Sequence, residues 1–378
     1  MYTEEIDINS SALVVEENDS EFICNNLKEE LLQMSGKEVL LTGGAGFLGF
    51  YIIKTILFWN QRNPEEKPIK LKILDNFIRG IPPWIEGLSK TNKFDIQEHD
   101  ITQQLPKDIG NVDFIIHAAS IASPIYYRLN PIQTMDANVD GLRKLLDYSL
   151  EQQKKGSPIT GFLFFSTSEI YGDPDKNQIP TPEDYRGNVS CTGPRACYDE
   201  SKRYGETLCV NFAKQYDLPI SIARPFNNYG PGLKITDGRV LPDFIKNVLA
   251  NEDIELISDG SPTRTFCYVA DAVIGYFKIL IKGRPGESYN IGNQEPEISM
   301  LNLANQITSL SLGISGYKGK VVQGSSKDKD YLVDNPNRRC PVIEKANEEL
   351  GFYPGVSLEE GLKRSILWYK ENSDGDNQ

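Results

Sequence analysis

The sequence predicts an α/β fold, a doubly wound parallel sheet joined to a smaller C-terminal α/β lobe, and three observations carry that expectation. Val39-Leu40-Leu41-Thr42 is an apolar run that opens into Gly43-Gly44-Ala45-Gly46-Phe47-Leu48-Gly49, and such a run bounded by glycines reads as a buried parallel strand. Over residues 47–59 the apolar side chains recur at helical spacing. A second apolar run, residues 71–74, closes on Asp75. The order is strand, glycine loop, helix, strand.

The glycine spacing has a physical cause. Gly43 permits the tight turn out of the strand, Gly46 lets backbone amides approach a pyrophosphate, and Gly49 lets the helix lie close to the sheet. The helix N-terminus, with Phe47 and Leu48 in its first turn, then supports the negative charge. An acidic side chain at Asp75 accepts hydrogen bonds from both adenosine ribose hydroxyls and repels a 2′-phosphate. The stretch therefore predicts a Rossmann-type dinucleotide site with NAD, rather than NADP, as cofactor.

At 378 residues the chain is long enough for one large domain and a smaller lobe. Hydrophobic residues at 39% and aromatics at 10% support a packed core. The net charge of −13, with no basic stripe, argues against nucleic acid or an anionic membrane as a partner. Six cysteines, Cys24, Cys191, Cys197, Cys209, Cys267 and Cys340, show neither metal-ligand nor disulfide-framework spacing and read as reduced thiols of a cytoplasmic protein. No signal peptide is expected, and there is no apolar run of bilayer length. His99 and His117 are the only histidines, so neither a histidine metal site nor a Ser-His-Asp triad is expected, and no metal.

Residues 1–36 form an N-terminal extension. Its first twenty residues are acidic and weakly periodic, which predicts a loose or partner-dependent tail, whereas residues 22–34 have helical spacing. The dinucleotide-binding domain is expected over 37–225. Residues 81–93 contain Pro82-Pro83 and read as a loop with one helical turn. Residues 94–98 are the third strand, followed by Asp100-Ile101, and residues 112–117 the fourth, ending in His117-Ala118-Ala119-Ser120. Small residues at the carboxyl end of a parallel strand leave room for a ligand. His117 reads equally as a core-edge histidine satisfied by backbone and as a catalytic group. Residues 131–153 are a long helix and 162–165 the fifth strand, from which Ser166-Thr167-Ser168-Glu169-Ile170-Tyr171-Gly172 emerges. Residues 173–194 form a long loop of the kind that is often functional, and a helix at 198–216 and a strand at 220–223 follow. Beyond Pro225 the alternation breaks, which places a mainly substrate-binding lobe at 226–371, with some of its chain returning to the first domain. Helices are expected there at 242–250, 271–281, 299–307, 341–350 and 358–370, and a tail at 372–378.

Tyr198 and Lys202 lie four apart on a predicted helix, so both side chains project from one face. A phenol is a poor base at neutral pH, but an ammonium ion beside it favours the phenolate. Thr167, on the preceding strand end, can hydrogen-bond the hydroxyl that Tyr198 deprotonates. The three suit hydride transfer from a secondary alcohol to NAD⁺. With Gly43, Gly46, Phe47, Leu48, Gly49 and Asp75, the cofactor site is expected to include Asn76, Asp100, Ile101, Ala118, Ala119, Tyr198 and Lys202.

The pattern from Thr42 to Gly49, Asp75, the run from Ser166 to Gly172 and Tyr198-x-x-x-Lys202 together resemble the extended short-chain dehydrogenase/reductases that act on nucleotide sugars, over roughly residues 37–370. Within that family Pro194-Arg195-Ala196-Cys197-Tyr198-Asp199-Glu200-Ser201-Lys202-Arg203 resembles the UDP-glucuronate decarboxylases, also called UDP-xylose synthases. So do residues 166–174, Asp237-Gly238-Arg239-Val240 and Thr263-Arg264-Thr265-Phe266. Asp334-Asn335-Pro336-Asn337-Arg338-Arg339-Cys340-Pro341 is similar to that subgroup's late Arg-rich segment, where lysine more usually replaces Cys340.

The resemblance implies NAD-dependent oxidation of UDP-glucuronate at C4, loss of CO₂ from the resulting β-keto acid, and return of the hydride to give UDP-xylose with no net redox change. Thr167, Tyr198 and Lys202 would serve the oxidation, Glu169 would assist proton handling near C5, and Arg339 would orient the carboxylate or supply a proton. Asn227, Arg239 and Arg264, with Ser120 and Arg339, would hold the nucleotide sugar, arginine giving bidentate bonds to the diphosphate. A nucleotide-sugar 4-epimerase is the alternative, since it needs Thr167, Tyr198 and Lys202 but not Glu169. A 4,6-dehydratase typically has aspartate where Ser168 stands, and a non-catalytic scaffold has no need of the intact triad. A homodimer through helices 131–153 and 198–216 is implied, with Leu150 and Phe212 as outward apolar candidates.

Overall fold

A computed structural model describes residues 5–89, 93–324 and 336–373; residues 1–4, 90–92 and 374–378, and Asp334 and Asn335 of the Arg-rich segment, lie outside the described residues. Seven strands build the main sheet: β1 (Glu38–Thr42), β2 (Lys70–Asp75), β3 (Asp95–Glu98), β4 (Phe114–His117), β5 (Gly161–Phe165), β6 (Ile220–Pro225) and β7 (Ser288–Ile291). They lie parallel in the order β7-β6-β5-β4-β1-β2-β3. The central strands are buried on both faces, which is why they read as unbroken apolar runs rather than alternating ones. The chain winds outward from β1 to β3, then crosses back to β4 and continues to β7, so a crevice opens where the carboxyl ends of β1 and β4 diverge. Thr42 is in register with His117 and His117 with Phe164. The segments leaving β1, β4 and β5 therefore start at one level.

Helices cover both faces. Val39, Leu41, Ile116 and Leu163 share a core with helices α1 (Ala12–Asn26), α2 (Phe47–Arg62), α4 (Val269–Lys282) and α5 (Leu358–Asn372). Leu40, Ile115, Phe164 and Ile222 pack instead against Leu142–Lys154 and α3 (Ala196–Tyr216). The helix expected over 131–153 is interrupted: Pro131–Asp136 passes through a π-helical stretch, Ala137–Gly141, before Leu142–Lys154. Packing explains the irregularity. Asn138 is buried and donates to Ser201 Oγ at 2.9 Å, and a Cβ on Gly141 would sit 2.6 Å from Ile101 Cγ2. A further helix, Pro124–Leu129, precedes it.

Two expectations are corrected. Phe212 is only 7% exposed and Leu150 packs against the same core, because α3 turns Phe212 toward Leu142–Lys154; the exposed apolar side chains of this region are Leu129, Ile132, Met135 and Tyr204. From residue 12 onward the N-terminal extension is no loose tail. Residues 12–26 form α1, whose N-cap Ser11 accepts from Val14 N, and Lys28–Met34 follows. Asp19 is fully buried; the hydroxyls of Tyr51 and Tyr268 donate to it, the latter at 2.6 Å, and Arg364 Nη1 lies 2.5 Å away. Burial pushes the Asp19 carboxyl up, with Arg364 opposing. Trp368 Nε1 donates to Glu16 at 2.7 Å. Glu16 and Asp19, which weaken the apolar period, are thus inward-facing groups paired with distant partners, whereas Glu17 and Glu21 face solvent.

Beyond β6 the chain alternates between sheet and lobe. α4 and β7 return to the main sheet, whereas Val240–Leu249 and Met300–Ser315 belong to the lobe. There Thr263–Arg264 lies between Ile298–Ser299, antiparallel, and Arg338–Arg339, parallel, with Arg339 in register with Arg264. That ladder sets two arginines side by side. Among the described residues no helix is long and apolar enough to cross a membrane.

Candidate functional site

The carboxyl ends of β1, β4, β5 and β6 and the facing lobe enclose a cavity of about 800 Å³. Gly43 forms its floor at φ 75°, and a Cβ there would meet Ala119 N at 2.5 Å, so the turn out of β1 and the segment leaving β4 touch backbone to backbone. A Cβ on Gly49 would strike Gly44 O at 2.1 Å. Gly46 is the N-cap of α2 and makes no side-chain capping bond, which leaves the helix N-terminus open to an anion. Gly43, Gly46, Phe47, Leu48, Gly49, Ala118 and Ser120 all line the cavity.

Asp75, Asn76, Asp100, Ile101 and Ala119 stand outside that wall. The Asp75 carboxylate accepts from Ala45 N at 2.9 Å and Phe77 N at 2.8 Å, which fixes it at the end of β2; burial raises its proton affinity and the two amides oppose this. Asn76 Oδ1 accepts from Ile78 N, and Asp100 Oδ1, exposed, from Thr102. Ile101 is buried against Gly141. Ser120 Oγ and Ser166 Oγ border the cavity, are buried and have no hydrogen-bond partner among the described residues. Orphaned hydroxyls facing a glycine floor and an uncapped helix end suit a polar, anionic ligand, so these residues fit a dinucleotide.

Thr167, Glu169, Tyr198, Lys202 and Arg339 converge on the opposite wall. Thr167 favours ionisation of Tyr198 against the effect of burial, and the Tyr198 ring stacks on Tyr127 with centroids 5.1 Å apart. Lys202 is 2% exposed, donates to Phe165 O at 2.8 Å and lies 5.8 Å from the Tyr198 ring centre. The helical spacing brings the pair together, yet burial decides their ionisation: it lifts Tyr198 to about 12 and lowers Lys202 to about 7. The ammonium spends its hydrogen bond on a β5 carbonyl, so desolvation outweighs any stabilisation of a phenolate.

A pH effect on stability follows. The Lys202 pKa in the fold is about 7 against an ordinary 10.5, so between those values the unfolded chain binds more protons and stability rises with pH. Wild type is expected to gain stability relative to Lys202→Met as pH rises from about 7 toward 10 in denaturant titrations. A constant difference across that window would refute the shift.

Of the two readings His117 fits the core histidine, although a side chain rather than backbone meets its Nδ1 and its buried Nε2 has no hydrogen-bond partner among the described residues. It is buried with Nδ1 2.7 Å from Thr42 Oγ1, lies outside the cavity wall, and is held neutral by burial, which drops its pKa to about 3 with the Lys202 charge adding to the effect.

Glu169 carries the strongest electrostatics. Arg339 grips both its oxygens at 2.5 Å, and Arg195 Nη2 donates to Oε2 as well. Burial pushes its pKa up, but Arg195 and Arg339 pull it below the usual carboxylate value. Arg195 was not among the expected site residues, although it opens α3 three residues before Tyr198. Its Nε lies 3.6 Å from Asp199 Oδ2, and burial with the Glu169 charge lifts Asp199 to about 7.

The remaining substrate candidates also reach the cavity. Asn227, at φ 42°, donates to Thr265 O at 2.8 Å. Arg239 lies 3.1 Å from Asp237 and donates to Ala122 O. Arg264 donates to Thr263 O, Asn337 O and Pro336 O, so in this arrangement it braces the Arg-rich segment; burial and the charge of Arg339 lower its pKa to about 9. Cys340 is buried with Sγ 3.4 Å from Gln294 O, away from the cavity wall. Tyr127 and Arg79 also border the cavity; nothing local in the sequence singles them out.

Residues 39–292 match the NAD dependent epimerase/dehydratase family. The chain is 37% identical over 339 residues to UDP-glucuronic acid decarboxylase 5 of Arabidopsis thaliana, covering 89% of this chain and 90% of that one. It is similar to the solved structure of UDP-glucuronic acid 4-epimerase from Bacillus cereus in complex with UDP-glucuronic acid and NAD (26% identity, TM-score 0.70, 88% of this chain and 99% of that one). It is likewise similar to UDP-glucose 4-epimerase with UDP-glucose from Thermotoga maritima (25% identity, TM-score 0.74, 88% and 99%).

Proposed function

The chain belongs to the NAD dependent epimerase/dehydratase family and is an NAD-dependent enzyme, and from that premise we propose that it decarboxylates UDP-glucuronate to UDP-xylose through a transient 4-keto sugar. The observation that carries this reading is the two-pronged grip of Arg339 on Glu169 at the cavity wall. A guanidinium already shaped around a carboxylate is a receiver for the sugar's C6 carboxylate. Once Arg339 turns to the substrate, Glu169 is left with Arg195, and its proton affinity rises. Glu169 can then carry a proton and return it to C5 once CO₂ has left.

Bound NAD supplies a hydride acceptor for oxidation at C4 and a donor for its reversal. Tyr198 would take the C4 hydroxyl proton as the phenolate, which the positive charge of bound NAD⁺ would favour, and Thr167 orients that hydroxyl. Lys202, anchored to Phe165 O, fixes the ribose and supports the phenol electrostatically. Gly43, Gly46, Phe47, Leu48, Gly49, Ala118 and Asp75 hold the dinucleotide, with Asn76, Asp100, Ile101 and Ala119 supporting them from behind the wall. Ser120, Asn227 and Arg239 hold the nucleotide sugar, and Arg264 positions Arg339 through the ladder they share. Residues 37–225 bind cofactor and 226–371 mainly the nucleotide sugar.

The Bacillus cereus epimerase complex supports a second reading, 4-epimerisation of the same uronic acid, which also calls for an arginine on the carboxylate. Mass spectrometry of the product after incubation with UDP-glucuronate and NAD⁺ separates the two. Loss of CO₂ without accumulating NADH is expected. An unchanged mass with a new stereoisomer would make the enzyme an epimerase.

The protein acts as a homodimer in the cytoplasm. Exposed Leu129, Ile132, Met135 and Tyr204 support pairing through α3 and the helices before Leu142, and six unpaired cysteines support a reducing compartment.

A further inference from the structure

Arg79 lies four residues beyond Asp75, on the loop that leaves β2, and it borders the same cavity as Gly46 and Leu48. Three contacts hold it. Its Nη1 donates to Asp237 Oδ1 at 2.6 Å, its central carbon sits 4.1 Å from the Tyr126 ring centre, and its carbonyl accepts from Lys234 Nζ at 2.7 Å. Asp237 is itself tied back by Ser123 Oγ, which donates to its carbonyl at 2.7 Å. The β2 loop, the segment after β4 and the start of the lobe thus meet at one guanidinium.

Two donors of that guanidinium are left over. Nε and Nη2 are buried and have no hydrogen-bond partner among the described residues. They form the edge that grips a phosphate side-on, and burying charged donors unpaired is costly. An anion completes the arrangement. The cavity is read as taking two diphosphates, one from the dinucleotide and one from the nucleotide sugar; the sequence neighbourhood of Asp75, the ribose-reading residue, favours the first.

We propose that Arg79 binds the pyrophosphate of the dinucleotide and that its ion pair with Asp237 latches the β2 loop to the C-terminal lobe over bound NAD. The latch slows cofactor escape, as suits a reaction that returns its hydride in every cycle. The inference rests on the NAD assignment and not on which sugar is used.

The test is retention of NAD by the purified holoenzyme after gel filtration, with the dissociation rate followed as released nucleotide. Losing charge-assisted bonds to phosphate is expected to make Arg79→Ala release NAD about 10- to 100-fold faster, and Arg79→Lys, which keeps the charge but not the two-pronged edge, is expected to fall between. Arg79→Ala combined with Asp237→Asn should release NAD no faster than Arg79→Ala alone; additive effects would overturn the latch. Wild-type retention in Arg79→Ala overturns the proposal. So does a raised KM for the nucleotide sugar with retention unchanged, which would give the guanidinium to the other diphosphate. A wild type that binds no NAD would instead sink the cofactor assignment beneath it.

Discussion

Tyr198→Phe is expected to lower turnover by about 10²- to 10⁴-fold, the usual worth of a positioned acid–base group, while the protein still binds NAD. Only the hydroxyl is removed. The ring keeps its stack on Tyr127, and Lys202 keeps its bond to Phe165 O, so the wall does not collapse. Thr167 loses the partner with which it would share the C4 hydroxyl. The expected signature is therefore a fall in kcat with KM little changed, together with no NADH absorbance in a single turnover. Full activity in this variant would remove the proposed mechanism.

Arg339→Met is expected to be equally severe for a different reason. Glu169 keeps Arg195, but Arg339 is asked to receive the substrate carboxylate, and truncating one partner of such a buried charge pair costs about 3–5 kcal/mol of binding. A loss in kcat/KM of roughly two to nearly four orders of magnitude follows. The pH profile carries the sharper information. Arg195 and Arg339 hold the Glu169 pKa down in wild type; with one of them gone it rises, so the alkaline limb of any residual activity, where Glu169 loses the proton it returns to C5, moves to higher pH. An alkaline limb that stays put would mean that Glu169 does not supply the proton.

How much was legible depended on how local each cause is. The strand, glycine loop, helix and acidic strand end from Val39 to Asp75 are specified by neighbours in sequence, and they fold as read. The meeting of Thr167 with Tyr198 and Lys202 follows from strand-then-helix order alone. Ionisation was another matter. Spacing placed Lys202 near Tyr198, but the depth of burial, a property of the whole fold, decides which form each takes. Arg195 and Arg79 escaped notice because an arginine acquires meaning from the carboxylate it faces, and Glu169 and Asp237 lie 26 and 158 residues away. Helix α1 was missed for the same reason: Asp19 reads as a solvated acid until Tyr268 and Arg364 arrive.

Asp19 and Arg364 are separated by 345 residues. At a synthesis rate of about 5–20 residues per second, the acid leaves the ribosome roughly 17–70 s before the base that neutralises it. For that interval the opening segment of the nascent polypeptide waits with its inward face unsealed. Helix α5 thus closes that face from a distance: a product cut short before Arg364 is expected to leave it open to chaperones and proteases.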